Sequence, residues 1–277
     1  MNIDGNTELI AHIGHPTHSF KSPLIYNPYF EKEGINALVV PMGCQTEHYP
    51  NFLKSIFNLT NIRGALITMP HKVTTVALLD EVTPTVKVAG ACNAVKRDES
   101  GRLVGDMFDG TGFVRGVKRK GFDLEGKRVL VVGTGGVGSA IAASLAAEKI
   151  ASISLFDLNT ASTEALGHRL QSVYPQIQVK LGSNAPEGHD LVVNATPMGM
   201  NEGDPLPLDV SRIAPETFVG EVVMRQEMTA FLQAAKNRGC KVQVGSDMLF
   251  EQIPAYLEYF GLKTSTAEVL RSVARLA

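Results

Sequence analysis

Short apolar runs alternate with amphipathic ones along most of the chain. ELIAHIG, ending at Gly14, predicts a strand, and SPLIYNPYFEKEG predicts a helix opened by Ser22-Pro23 and stopped at Gly34. NALVVPM and GALITM predict two more strands, with helices through YPNFLKSIFN and VTTVALLDEV. This β-α-β-α-β-α order predicts a mostly parallel sheet covered by helices. RDESGRLVGDMFDGTG is rich in Gly and Asp and predicts a loop seam, followed by a helix through TGFVRGVKRKG. KRVLVVG is apolar without alternation, the pattern of a strand buried on both faces. A second βα series follows: SISLFD, TEALGHRLQSV, DLVVNAT, FVGEVVM, TAFLQAAKNRG and CKVQVG. DMLFEQIPAYLEYFG and TAEVLRSVARLA predict two closing helices. The fold class is therefore α/β.

Composition narrows the partners. The 277 residues are 44% hydrophobic and 19% charged, which is globular and long enough for one large or two medium domains. A net charge of −2 without a basic block points away from nucleic acid and anionic membranes. MNIDGNTELIAHIG lacks the basic and apolar regions of a secretory signal, and no run is long enough to span a bilayer. Cys44, Cys92 and Cys240 are far apart and odd in number, so the expectation is a reducing, cytoplasmic setting without disulfides.

The strongest motif is VLVVGTGGVGSAIAASLA, with G-x-G-x-x-G as Gly133, Gly135 and Gly138. An apolar strand precedes it and an alanine-rich helix follows, the context of a dinucleotide site. Gly133 permits the tight turn, Gly135 admits a pyrophosphate to the backbone, and Gly138 allows close helix–strand packing. The helix N-terminus supplies N–H groups and a positive dipole end. Asp157 ends the next strand, about 20 residues on, where an acid would bond the ribose hydroxyls of NAD. A 2′-phosphate would want Arg, and FDLNTAST has none, so NAD is favoured with NADP as the alternative. Asp157 also suits a plain cap of the following helix. Asn194 and Thr196, in NATPMGM, either line the cofactor crevice or simply turn the chain before Pro197.

In ITMPHK, Lys72 follows a strand end and Pro70. Oxidation of an alcohol carbon requires removal of the hydroxyl proton, and a lysine near an aspartate can take it. A solvated lysine at a helix start is the bland reading. Two acids, Asp106 and Asp109, bracket Met107 and Phe108 in GDMFDGTG.

Taken in order, IRGALITMPHK, GACNAV, GRLVGDMFDGTGF and GTGGVG resemble the shikimate dehydrogenase family, the shikimate and quinate dehydrogenases. GHPTHSFKSPLIYN, NATPMGM and GSDMLFEQ extend the resemblance over nearly the whole chain. It implies an N-terminal α/β substrate domain of residues 1–109, rejoined by residues 246–277, and a Rossmann-type dinucleotide domain of residues 110–245. It implies an NAD(P)-dependent oxidoreductase passing hydride between nicotinamide and the ring hydroxyl or ketone of a small cyclic hydroxy acid, in aromatic amino acid biosynthesis. The oligomeric expectation is a monomer or homodimer.

The resemblance assigns Lys72 and Asp109 as catalytic, with Asp109 rather than Asp106 as the partner acid. Asp109 would hydrogen-bond the reacting oxygen and tune Lys72. It assigns Ser19, Ser22, Thr68, Asn93 and Gln252 to the substrate, the serines to its carboxylate. The cofactor set is Gly133, Thr134, Gly135, Gly136, Val137, Gly138, Asp157, Asn194, Thr196, Met198 and Gly245, and no metal is implied.

The chain departs from the family in the substrate pocket. His18-Ser19-Phe20-Lys21-Ser22-Pro23 is one residue longer than His-Ser-x-Ser-Pro, which displaces Ser19 and leaves Lys21 facing a carboxylate or water. The family's Asn-Thr before the catalytic Asp is Met107-Phe108, and a family tyrosine falls loosely at Gly220. A buried unpaired hydroxyl costs about 1–3 kcal/mol. Met107 and Phe108 therefore either retune the pocket toward a less hydroxylated acid or point into the core. A dinucleotide-binding sensor on the same scaffold is the non-enzymatic alternative. Asp106 is expected to be a solvated loop acid. Gly14 and Pro16 break the helix that would let His12, His15 and His18 hold a metal. His71 is expected to shape its loop, and Cys92 to be a small buried residue.

Overall fold

The computed structural model describes residues 3–276, and they form two compact units. One comprises the chain up to Val86, Gly90–Phe108 and the chain from Ile253 onward; the other comprises Lys87–Ala89 and Asp109–Gln252.

The first unit is built on strands β1 (Glu8–Gly14), β2 (Ala37–Gly43), β3 (Ile62–Ile67), β4 (Glu81–Val82), β5 (Ala94–Arg97) and β6 (Leu103–Asp106), in the order β2-β1-β3-β5-β6-β4. Its helical segments include α1 (Pro23–Glu33), α2 (Tyr49–Ile56), α3 (Lys72–Val76) and the start of α4 (Pro84–Ala89). α1 begins with Pro23 and ends at Gly34, whose φ of 67° closes the helix in the left-handed region, as the sequence predicts. Strands β2, β1 and β3 are parallel, but β3 pairs antiparallel with β5 and β5 antiparallel with β6. The sheet is thus mixed, where a mostly parallel one was expected. The reason is a hairpin inside the presumed loop seam. Asp98 Oδ1 accepts from the N–H groups of Ser100 and Arg102 and turns the chain, and LVGD alternates buried and half-buried positions. Gly and Asp in that stretch mask a short strand from a reading by composition. VTTVALLDEV likewise divides into α3, β4 and the approach to α4 rather than one helix.

The second unit carries β7 (Arg128–Val132), β8 (Ser152–Phe156), β9 (Gln178–Leu181), β10 (Leu191–Asn194), β11 (Phe218–Glu221) and β12 (Lys241–Gln243). They pair in parallel in the order β12-β11-β10-β7-β8-β9, a doubly wound sheet with its topological switch between β7 and β10. Val129–Val132 and Leu191–Val193 are fully or almost fully buried, as their unbroken apolar runs require. β9 is an edge strand, largely exposed, and its polar composition hid it from the sequence reading. Around the sheet lie α5 (Asp109–Arg119), α6 (Gly136–Ala146), α7 (Thr160–Val173) and α8 (Ala230–Asn237). α9 (Gly245–Tyr259) begins in this unit and runs into the first, which also holds α10 (Ala267–Val273). Among the described residues no helix is long and apolar enough to cross a membrane.

α5 and α6 pack through small residues. A Cβ on Gly110 would stand 2.1 Å from the Ala140 carbonyl oxygen and 2.5 Å from Ser144 Oγ. Gly110→Ala is therefore expected to destabilise the second unit by about 3 kcal/mol through forced separation of the helices. Urea unfolding monitored by circular dichroism checks this; an unchanged midpoint would refute the contact's importance.

Candidate functional site

In the second unit the chain turns from β7 into α6 with almost no lateral room. Gly133 has φ +101°, and a Cβ on Gly138 would stand 1.9 Å from the Gly133 carbonyl oxygen. By contrast, added Cβ atoms at Gly135 and Gly136 would meet nothing within 4 Å. The turn is closed against its own sheet and open at the N-terminus of α6, the form of a phosphate cradle. Thr134 is buried, and its N–H donates to Asp157 Oδ2 at 2.7 Å. Val137 packs against the core beneath the loop.

Asp157 lies on the wall of a cavity of about 390 Å³ that Gly133, Gly135, Thr196 and Met198 also line. Its other oxygen accepts from the Asn159 N–H at 2.9 Å. The carboxylate thus ties the glycine loop to the start of the next turn while presenting its charge at the cavity. Asn159, not Asp157, caps α7, accepting from the Ser162 N–H. Asn194 is fully buried and works as a brace: Nδ2 donates to the Met198 carbonyl, and Oδ1 accepts from the Thr196 N–H and hydroxyl. Thr196 and Met198 form the wall that Asn194 holds. Gly245 opens α9, where a Cβ would stand 2.1 Å from the Val223 carbonyl oxygen, so only glycine allows that approach.

Glu221, inside FVGEVVM, is a charged residue of this unit that no motif marks. It ends β11, is fully buried, and accepts from Thr229 Oγ1 at 2.9 Å. Burial raises its pKa to about 7, against the opposing pull of bonds from Thr229 and Asn194. A single charged residue inside an apolar strand is the signal that would have found it.

In the first unit, β1 is followed on one side by β2 and on the other by β3, so a crevice opens at the carboxyl ends of β1 and β3. Thr68 follows β3 and is half-buried there, its N–H donating to the Ile13 carbonyl. Lys72, half-buried, starts α3. His71 before it is buried, stacks on Tyr49 at 3.9 Å and meets the Cys44 carbonyl through Nε2 at 2.8 Å, which shapes the loop as expected. Asn93 is buried, and Oδ1 accepts from the Phe108 N–H at 2.9 Å. Ser22 precedes the first turn of α1, half-buried, while Ser19 and Lys21 are exposed. Cys92 is fully buried and burial pushes its thiol up to about 12, so it is inert.

Asp109 is buried at the first position of α5, two residues earlier than the helix was expected to start, where the positive dipole end favours a carboxylate. Gln252, half-buried on α9, packs against α5 at Gly112, where a Cβ would stand 2.7 Å from its own. Asp106 is not a solvated loop acid. It ends β6, half-buried, and Oδ1 accepts from Thr83 Oγ1 at 2.7 Å and the Met107 N–H. Met107 is fully buried, and Phe108 sets its ring edge-on to Tyr256 and Tyr259 at 4.9 and 5.4 Å. Both side chains belong to the interior. Gly220 lies within β11, where a Cβ would collide with Phe113 at 2.7 Å, so it faces the core of the second unit.

Residues 12–95 match the model of the shikimate dehydrogenase substrate binding domain. Shikimate dehydrogenase (NADP(+)) of Rubrobacter xylanophilus is 31% identical, over 98% of this chain and 97% of that one. Quinate/shikimate dehydrogenase of Escherichia coli is also 31% identical, over 91% of each chain. The crystal structure of shikimate 5-dehydrogenase from Listeria monocytogenes, in complex with shikimate and NAD, has a TM-score of 0.92 and 27% identity, covering 99% of this chain and 98% of that one.

The buried carboxylate of Glu221 has a measurable consequence. Its folded pKa is raised, so stability is lost as pH climbs from the ordinary carboxylate value of 4.5 through about 7. Glu221→Gln is expected to match the native chain near pH 4.5 and to exceed it above pH 7 by about 3 kcal/mol at most. Thermal denaturation across that range checks it; a pH-independent difference would refute it.

Proposed function

We propose that this chain, which belongs to the shikimate dehydrogenase family, is an NAD(P)-dependent oxidoreductase acting on the ring hydroxyl of shikimate or quinate. The observation that carries the reading is the pairing of two features in one chain. The second unit holds an open glycine cradle beside an acid-walled cavity. The first unit holds Thr68 and Lys72 at the carboxyl ends of its parallel strands.

The cradle residues fit a dinucleotide. Gly135 and Gly136 leave the backbone bare for a pyrophosphate, and α6 turns its N–H groups and dipole toward it. Asp157 suits ribose hydroxyls and repels a 2′-phosphate, and no Arg or Lys stands in FDLNTAST to offset that. The preferred cofactor is therefore NAD. When bound, nicotinamide supplies the hydride acceptor, and the protein's task is orientation and proton control.

In the oxidation direction the substrate's O–H proton passes to Lys72 Nζ as the carbon–hydrogen bond is cleaved and the C=O bond forms. In the reverse direction the Lys72 ammonium returns the proton to the oxygen. Asp109 is the partner carboxylate, held buried at the head of α5. Ser22 and Ser19 take the substrate's carboxylate near the N-terminus of α1, where the dipole assists. Asn93 and Thr68 take ring hydroxyls, and Gln252 reaches the substrate from α9. A less hydroxylated substrate loses its rationale, because Met107 and Phe108 are packed into the interior.

Reduced-nicotinamide absorbance tests this with shikimate and quinate, each with NAD and NADP. Expected are turnover with one acid or both and a higher kcat/KM for NAD. Lys72→Ala is expected to lower kcat by about 100-fold or more while NAD binding by calorimetry is kept. Undiminished turnover in that variant would remove Lys72 from its role.

A further inference from the structure

His12 occupies the carboxyl end of β1, opposite Leu66 on β3. It is 7% exposed, an unusual place for an imidazole within an apolar strand. Its ring stacks on Phe20 at 4.1 Å and 27°. Phe20 belongs to the short segment that separates Ser19 from Ser22. Gly14, two residues on and so on the same face of the strand, leaves space that Thr68, the Met69 carbonyl and Phe20 use. A Cβ there would stand 2.5 Å from Thr68 Cγ2 and 3.0 Å from Phe20 Cζ. One face of β1 therefore gathers His12, Phe20 and Thr68 in the crevice where open α/β sheets bind ligands.

The imidazole is not satisfied by the fold. Nδ1 is buried and has no hydrogen-bond partner among the described residues. Burial, and then the charge of Lys72, lower the pKa of His12 to about 4, so the ring is neutral at working pH. A neutral imidazole carries one donor and one acceptor. It can therefore serve a hydroxyl or a carbonyl without competing with Lys72 for the proton in transit.

We infer that His12 is a substrate-binding residue whose imidazole hydrogen-bonds a ring oxygen of the cyclic acid, with Phe20 clamping the ring in place. This rests on the reading that the substrate is a cyclic hydroxy acid. Since Met107 and Phe108 face inward, His12 supplies polar contact from β1 and discriminates among acids by their ring oxygens.

The test uses the full chain with NAD saturating and quinate or shikimate as probe. His12→Val is expected to raise KM for the acid by about tenfold, the worth of one hydrogen bond, with kcat changed much less and KM for NAD unchanged. His12→Asn or His12→Gln, which restore one nitrogen position each, are expected to recover most of that loss. The unaltered protein provides a second readout: its histidine ring-nitrogen resonances, assigned by those variants, are expected to shift for His12 when quinate or shikimate is added without cofactor. Unchanged KM in His12→Val together with an unmoved His12 resonance would overturn the inference alone. A raised KM that neither Asn nor Gln repairs, with no resonance shift, would assign packing and also overturn it. An unaltered chain that neither turns over nor binds either acid would overturn the proposed function and this inference together.

Discussion

Between β7 and α6 the backbone turns in less space than one methyl group occupies. A side chain at Gly138 would overlap the Gly133 carbonyl, and one at Gly133 would meet the Ala195 backbone at 2.7 Å. This backbone-on-backbone closure draws the tips of β7 and β10 together at the topological switch of the second sheet. The cavity, the bare N-terminus of α6 and the position of Asp157 all follow from it. Asp157 then fastens the loop with two accepted backbone hydrogen bonds, so one carboxylate both shapes the cradle and charges its wall.

The first unit reaches its crevice by a different economy of space. Gly14 again makes room, here for Thr68 and for the ring of Phe20. His71, Tyr49 and Cys44 stiffen the turn that precedes Lys72 through stacking and a bond to backbone, so the lysine starts from a fixed corner. Asn93, immediately before β5, accepts from the Phe108 N–H, which links the carboxyl end of β6 to the start of β5. Polar residues near both crevices thus spend much of their hydrogen-bonding capacity on loop geometry, which is what holds a site within tenths of an ångström.

Buried polar groups mark where the fold gives up stability. Glu221 sits at a strand tip with Thr229 and Asn194 as partners, and Asn194 in turn braces Thr196 and Met198 on the cavity wall. His12 is the corresponding exception in the first sheet. Both lie at carboxyl ends of parallel strands, where the ladder stops and side chains of adjacent strands converge. Elsewhere in these two strands the buried side chains are apolar: Ile10, Ala11 and Ile13 in β1, and Phe218 and Val219 in β11.

Periodicity and turn residues carried the α/β class, most of the longer elements and the glycine loop, because these depend on local spacing alone. The Ser22-Pro23 start and Gly34 stop of α1 were legible for the same reason. Long-range pairing was not. Whether LVGD is a loop or a strand depends on Asp98 turning the chain back onto β5, and β9 exists only because β8 offers it a ladder. The directions of Met107 and Phe108 were equally undecidable from composition, since a large apolar residue suits a pocket wall and a core alike. The tyrosines of α9, distant in sequence, decide for Phe108 by packing against it. Asp106 and Glu221 changed meaning in the fold through partners 23 and 8 residues away. Sequence thus determined which chemical groups the chain carries and the motifs that frame them; tertiary structure decided which of those groups are exposed, braced or buried, because burial and pairing are properties of neighbours.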